Sequence, residues 1–388
     1  MLHGMLITDD KETAELIGCL GRSSEQLVLD RVFCPPPGSY QLAMALNTLS
    51  LDVAFLAVSD PSQEFSFYQQ IKEKIPAVAV VGFSAKPYQS PADPTAFLLK
   101  PPFSVPSFLA TVRAAVHASH PLPHPNVVAI LPAKAGGGAT NIAVNLASQL
   151  VRSFSRKVVV ADCDLRSGTI ADRLGLHSQQ AIWQTLSMAD ASETLIWPQH
   201  VCRKDDIDFL VTNRDRKMSR PQWHSYHHLL AFLSRRYDHV ILDLPELVND
   251  ATAEALRSAS MVYVMTTPEV LSLALAQERL ADLESAQIEP SKIRILVNRM
   301  HPDDPSPQRI SEFLRCPVAA VFPNDYRSAN AATIAQSFVA SNTRLGKSYL
   351  AFAEMLAGKK PQPETRRCPS FLGAFFPRAL ALTATRNR

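Results

Sequence analysis

The chain has 388 residues, 46% of them hydrophobic and 19% charged, with a formal net charge of +3. This length predicts two domains, and the apolar content suffices for a full core in each. Six cysteines (Cys19, Cys34, Cys163, Cys202, Cys316 and Cys368) are scattered without a CxxC pair, which argues against a disulfide or zinc framework and for a reducing, cytoplasmic setting. No apolar run reaches the roughly 18 residues of a membrane span, and the N-terminus MLHGMLITDDKE lacks the basic and apolar regions of a signal peptide.

Residues 1–117 read as a separate α/β unit. Met5–Thr8, Asp52–Val58, Ala77–Val81 and Ala96–Leu99 are predicted strands, and Lys11–Leu20 and Ser107–His117 predicted helices. Alternation at this spacing predicts a doubly wound sheet. Asp9 and Asp10, before the first helix, read from residue type alone as an N-cap and a favourable first-turn charge. Residues 118–125 (ASHPLPHP) hold three prolines and read as a semi-rigid linker.

The second unit, 126–358, opens with the apolar run NVVAIL, the loop AKAGGGAT (133–140) and the helical pattern TNIAVNLASQLV. Strand, glycine-rich turn and helix in that order make a phosphate-binding loop. Gly136, Gly137 and Gly138 carry no side chains, so backbone N–H groups can approach a phosphate. The positive end of the following helix points at the same place. Against the usual pattern, Ala133 replaces the first glycine and Ala139 replaces the lysine; only Gly138 and Thr140 match strictly. Read alone, such a loop is also a common structural turn. Its context favours phosphate binding. Lys157–Asp164 (KVVVADCD) is a buried-type strand ending in Asp162 and Asp164, Tyr237–Pro245 carries Asp243 at a strand end, and Ile293–Arg299 carries Asn298 at another. Strand-end acids beside a phosphate loop are where a parallel sheet places ligands for Mg²⁺ and water. Strands starting near 126, 158, 207, 239, 261, 293 and 318, with helical connections, predict a mostly parallel sheet.

His224, His227 and His228 cluster in sequence without a neighbouring cysteine or acid, and read as surface or helix-packing residues. Asp250, Glu254 and Arg257 fall on neighbouring helical turns and read as a solvated face. From Lys359 onward the tail holds seven basic residues and one acid, which leaves the body slightly acidic. The tail also has Phe371, Leu372, Phe375 and Phe376, a composition that fits either an interfacial membrane anchor or a solvated tail.

These motifs resemble the MinD/ParA class of deviant Walker-A ATPases, over roughly 126–356. The class pattern is Lys-Gly-Gly-Val-Gly-Lys-Thr, where this chain has Lys-Ala-Gly-Gly-Gly-Ala-Thr at 134–140. The resemblance implies a P-loop NTPase fold binding ATP and Mg²⁺. Lys134 matches the signature lysine that reaches the partner subunit's phosphates in an ATP-sandwich homodimer. Gly136, Gly137, Gly138, Ala139, Thr140 and Asn141 would wrap the phosphates. Thr140, Asp162 and Asp243 would serve the metal, and Asp164 the attacking water. Asn298, Pro323 and Asp325 would flank the adenine. Ala139 and the string DCDLRSGTIADRLGL resemble the CpaE/TadZ branch, associated with Flp (tad) pilus assembly. That branch implies pilus secretion-system partners, a site at the pole or the inner-membrane periphery, and weak or absent hydrolysis. Residues 1–117 resemble a response-regulator receiver, with a flavodoxin-like fold. Asp9 and Asp10 match its acidic pair, Ser84 its switch hydroxyl and Lys100-Pro101 its Lys-Pro. Ala57 falls at the phosphoacceptor position, which leaves no carboxylate to phosphorylate and implies docking or dimerisation. The alternatives are a ParA-like DNA or cargo-partitioning ATPase, against which the slightly acidic body weighs, and a nucleotide-free scaffold.

Overall fold

The computed structural model describes residues 1–24, 26–83, 97–99, 104–119, 122–178, 181–187, 199–212 and 221–358. Ser84, Lys100, Pro101 and the tail from Lys359 lie outside the described residues.

The first sheet contains β1 (Leu2–Thr8), β2 (Leu27–Phe33), β3 (Val53–Ala57), β4 (Ala79–Phe83) and β5 (Phe97–Leu99). All pair in parallel, in the order β2-β1-β3-β4-β5, the flavodoxin-like order of doubly wound sheets. Helices Lys11–Ser24, Ser39–Thr48, Pro61–Lys74 and Val105–Ser119 follow the strands in alternation. Strands covered on both faces read as continuous apolar runs, as VAFLA does in β3. Phe55 from β3 stacks on Phe108 of the closing helix, with ring centroids 5.6 Å apart. Asp10 caps the first helix, accepting from the N–H groups of Glu12 and Thr13. Asp60 caps the third by accepting from Ser62 N–H.

The second sheet contains β6 (His124–Pro132), β7 (Val158–Asp162), β8 (Cys202–Lys204), β9 (Ile207–Leu210), β10 (His239–Asp243), β11 (Ala259–Thr266), β12 (Ile293–Met300) and β13 (Val318–Pro323). Their order is β13-β12-β11-β6-β10-β7-β9-β8, parallel except at the β8 edge. The helix Ala139–Phe154 is buried on most of its surface. It packs between the sheet and the helix Arg344–Leu356. From β6 the chain crosses first to the β7 side and later to the β11 side, so the crevice at the C-terminal end of β6 is the switch point of the sheet. Among the described residues, no helix is long and apolar enough to cross a membrane.

Several sequence expectations need correction. Strand β2 was missed because it is an edge strand; Asp30 and Arg31 interrupt its apolar residues, and Val28 and Val32 are exposed. Strand β8 was missed because it is three residues long. A two-residue turn joins it to β9 through Asp205 and Asp206, whose φ values are 48° and 62°, the backbone that tight hairpins require. The linker expected at 118–125 is shorter, since the helix runs to Ser119 and β6 starts at His124. Glu254 is not on a solvated face: it is fully buried. Of the two readings of the clustered histidines, helix packing holds for His224 and His227, which are buried in the helix Trp223–Arg236.

Candidate functional site

The loop after β6 is fixed at both ends. Ala133 N–H donates to Met265 O at 2.8 Å, extending the β6–β11 ladder. Gly138, with φ of 107°, is the N-cap of the helix Ala139–Phe154. That left-handed conformation suits glycine, and a Cβ there would strike Asn298 Nδ2. Asn298, at the end of β12, donates Nδ2–H to Gly137 O at 2.8 Å. Its neighbour Arg299 donates Nη2–H to Gly136 O at 2.8 Å. Two consecutive side chains of one strand end therefore clamp two consecutive loop carbonyls. Arg299 has φ of 57°, a conformation costing a non-glycine residue about 1 kcal/mol.

Ala139 is buried, 6% exposed, beneath the loop, so its methyl group joins the core and supplies no cation. Lys134 is exposed on the outer part of the loop. Asn141, in the first turn of the helix, has a buried Oδ1 without a hydrogen-bond partner.

Below the loop, Thr140 Oγ1 donates to Asp243 Oδ2 at 2.6 Å. Asp243 ends β10, and Asp162, its register partner, ends β7. Both are buried. Burial drives the Asp162 carboxyl well above the usual carboxylate range, and the neighbouring Asp243 adds to the rise. Burial pushes Asp243 up to about 7, against the donated bond from Thr140. Asp162 Oδ2 accepts from Ile170 N–H at 3.3 Å, while Oδ1 has no partner. Two adjacent buried carboxylates with an orphaned oxygen fit a hard divalent cation. Gly168 lies directly against Asp162, and a Cβ there would collide with both carboxylate oxygens. Asp164 is half-buried and accepts from the N–H groups of Arg166 and Ser167, which turns the chain back over the cleft.

An open cleft of about 1660 Å³ runs over the glycines, Thr140, Asp164 and Asp243, and continues past Glu246 to Asp250. Pro323 and Asp325 do not line it. Asp325 is instead the N-cap of the helix Tyr326–Ile334, accepting from Ser328 N–H and Oγ–H. Those bonds hold its carboxyl below the usual range.

Three residues at the site escaped sequence reasoning: Gly168, Arg299 and Glu246. Glu246 Oε2 accepts from Ala135 N–H at 2.6 Å, so a carboxylate occupies a loop amide. The signal was adjacency, since Arg299 follows Asn298 and Glu246 lies just past Asp243.

The model of the family described as AAA domain matches residues 125–293, inside the eight-stranded unit. The septum site-determining protein MinD of Synechocystis sp. is 26% identical over 209 residues, covering 52% of this chain and 77% of that protein. A ParA family ATPase from Chlorobium tepidum TLS superposes with a TM-score of 0.55 at 20% identity, covering 59% of this chain and 98% of that one. MinD complexed with Mg-ADP from Pyrococcus horikoshii OT3 superposes with a TM-score of 0.52 at 20% identity, covering 60% and 95%.

Proposed function

We infer that this chain, whose second unit is a P-loop ATPase domain of the MinD/ParA type, binds ATP with Mg²⁺ as a dimerisation switch and turns it over slowly or not at all. The observation that carries this reading is a metal side assembled beneath a loop that lacks its second lysine: Thr140 on Asp243, with Asp162 alongside. Mg²⁺ would be held on the Thr140, Asp162 and Asp243 side and would neutralise phosphate charge when bound. The loop amides and the helix start would hold the phosphates, and Lys134, exposed on the outer loop, would reach a second subunit's nucleotide. Losing a preorganised cation that meets developing charge costs about 3 kcal/mol, roughly a hundredfold in rate. Binding would survive on backbone amides and metal.

The cellular reading is an assembly and localisation factor for Flp (tad) pilus machinery, acting through pilus secretion-system proteins. It is supported by the Ala139 substitution, the DCDLRSGT segment, and a first unit with flavodoxin-like strand order and Ala57 at the β3 end. Equilibrium binding of a fluorescent ATP analogue tests the nucleotide part, comparing wild type with Gly138→Val. Binding lost in the variant supports it; negligible binding in both rejects it. Co-purification with pilus secretion components from a tad-bearing cell tests the rest.

A further inference from the structure

The closing helix of the first unit, Val105–Ser119, meets the second unit at a buried carboxylate. Glu254, on the helix Asp250–Ser258, is 0% exposed. His117 Nε2 lies 2.9 Å from Glu254 Oε1, and His227 Nδ1 lies 3.0 Å from the same oxygen. Arg113 Nη2 and Arg257 Nη1 stand 3.6 and 3.7 Å from Oε2. With Asp250, which Arg113 also pairs with, two guanidiniums balance two carboxylates, so the group is an ion-pair hub and not a cage for a metal ion. Around it, the Arg113 guanidinium lies 4.8 Å over the Trp223 ring. Trp223 belongs to the second unit by sequence but packs into the apolar core of the first. Its Nε1–H donates to Gln26 Oε1 at 3.1 Å. His228 Nε2 and Asp52 Oδ1 are 3.2 Å apart at the flank.

The helix that carries Glu254 is also part of the cleft. It begins seven residues after Asp243, and Asp250 and Thr252 in its first turn line the cleft beside the phosphate loop. Asp250 serves both places, because its Oδ1 accepts from Arg113 Nη1–H at 3.1 Å. One short helix therefore has its first turn at the cleft rim and its second in the grip of the first unit.

We propose that the first unit is a docked regulatory unit, latched by Arg113 and His117 onto Glu254 and Asp250, and that docking and nucleotide binding are coupled through the helix Asp250–Ser258. The proposal rests on the nucleotide-binding reading above. A docked first unit holds the cleft rim in one arrangement, so nucleotide meets a preorganised wall. Linkage makes the effect reciprocal: whatever factor docking adds to nucleotide affinity, nucleotide adds to docking. A buried, directional polar hub gives one docking orientation instead of a sliding apolar contact.

The test uses the full chain with spin labels at Met44→Cys and Leu271→Cys, both on exposed positions, with Cys19, Cys34 and Cys368 changed to Ser. Inter-label distances and affinity for a fluorescent ATP analogue with Mg²⁺ are measured in this background, in Arg113→Ala and in Arg152→Ala, a control ion pair at the end of another helix. Arg113→Ala should broaden the distance distribution and weaken nucleotide binding about fivefold, the lower end of typical coupling. Arg152→Ala should do neither. Without any latch variant, MgATP should narrow the distribution, which keeps the test valid if Arg113→Ala fails to fold. Broadened distances with unchanged affinity overturn the coupling, and unchanged distances overturn the latch. If the labelled parent binds no nucleotide, the nucleotide reading fails and the coupling with it, while the nucleotide-free distances still report on the latch.

Discussion

Thr140 donates its hydroxyl proton to Asp243 at 2.6 Å, and Asp243 shares its register position with Asp162 on the next strand. Burial is the main reason both carboxyls sit above their usual range, with Asp243 adding to the rise at Asp162 and Asp164 to that at Asp243. Holding two buried carboxyls at adjacent register positions costs stability. Asp162→Asn keeps an acceptor for Ile170 N–H and removes one buried ionisable group. In nucleotide-free protein the variant should unfold a few degrees higher, as expected for about 1 kcal/mol in a unit of this size. Its affinity for nucleotide should no longer depend on Mg²⁺. Thermal melts, with titrations in Mg²⁺ and in EDTA, measure both; a lower melting point together with intact Mg²⁺ dependence contradicts this account.

Besides Lys134, Arg299 brings a positive charge to the loop. Arg299 adopts a left-handed backbone and reaches Gly136 O. Replacing it with Ala removes a loop clamp and a charge near bound phosphates. The expected loss is about 1 kcal/mol, roughly fivefold weaker nucleotide binding, the scale of one hydrogen bond. Ala139→Lys tests the converse. If the loop is specialised away from turnover, restoring a lysine should raise steady-state hydrolysis by at least about tenfold, within the range for a single charge-stabilising donor. Unchanged hydrolysis in a variant that still binds nucleotide would move the block elsewhere.

If the loop binds phosphate as proposed, Glu246 should compete with it. Its carboxylate takes the Ala135 N–H at 2.6 Å, and an incoming anion must displace it. Glu246→Gln keeps the size and removes the charge. Affinity for the ATP analogue should rise about threefold to tenfold, as for relief of one charge-assisted bond of about 1 kcal/mol. The gain should shrink at high salt, where charge at this partly exposed position is screened. Weaker binding by the variant would make Glu246 part of the site and not its competitor.

Much of this was legible in the residues because strand-end position is a one-dimensional signal. Asp162, Asp243 and Asn298 each close an apolar run, and a parallel sheet brings such ends to one edge. The seven longer strands of the second sheet were readable for the same reason. Other features depend on what packs where. Glu254 reads as solvated because its helix alternates charges, and it is covered by His227 of a neighbouring helix and by the first unit's helix, over a hundred residues away in sequence. Trp223 is a core residue of a unit it does not belong to by sequence. Asp325 is legible as part of a loop motif, but its local role as a helix cap is not. The Gly168 contact with Asp162 cannot be inferred from sequence, since a glycine in a turn has many causes.

Docking of the first unit should weaken in acid. Burial lowers His124 to about 4, with His227 and Arg235 adding to the effect. Burial lowers His224 to about 3, helped by the N-terminal amine, His228, His227 and His3. Burial also lowers His227, against its bond to Glu254. Facing these rings are Arg113, His117, Asp52 and His3 from the first unit, and Asp250, Glu254, Arg257, Arg235 and His228 from the second. Released into water, each lowered histidine returns toward its ordinary value near 6.5. The docked state then binds fewer protons than the released one. Docking is complete above about pH 6.5 and is lost progressively as pH falls toward 4, the sign that linkage requires for a lowered histidine. Glu254 works in the same direction over a lower window. Burial alone would raise its carboxyl, but the hydrogen bonds from His117 and His227 outweigh burial and hold it at about 2. Its contribution is therefore present above its ordinary value of 4.5 and lost below it. Label distances in nucleotide-free protein, recorded from about pH 7.5 down to about pH 5, should broaden with a midpoint at or below about 6. His224→Gln, at the position that faces the N-terminal amine and His3, should flatten part of that response, because glutamine has no proton to take up. A distribution constant over this range would separate the histidines from docking and leave Arg113 and Asp250 as its main electrostatic support.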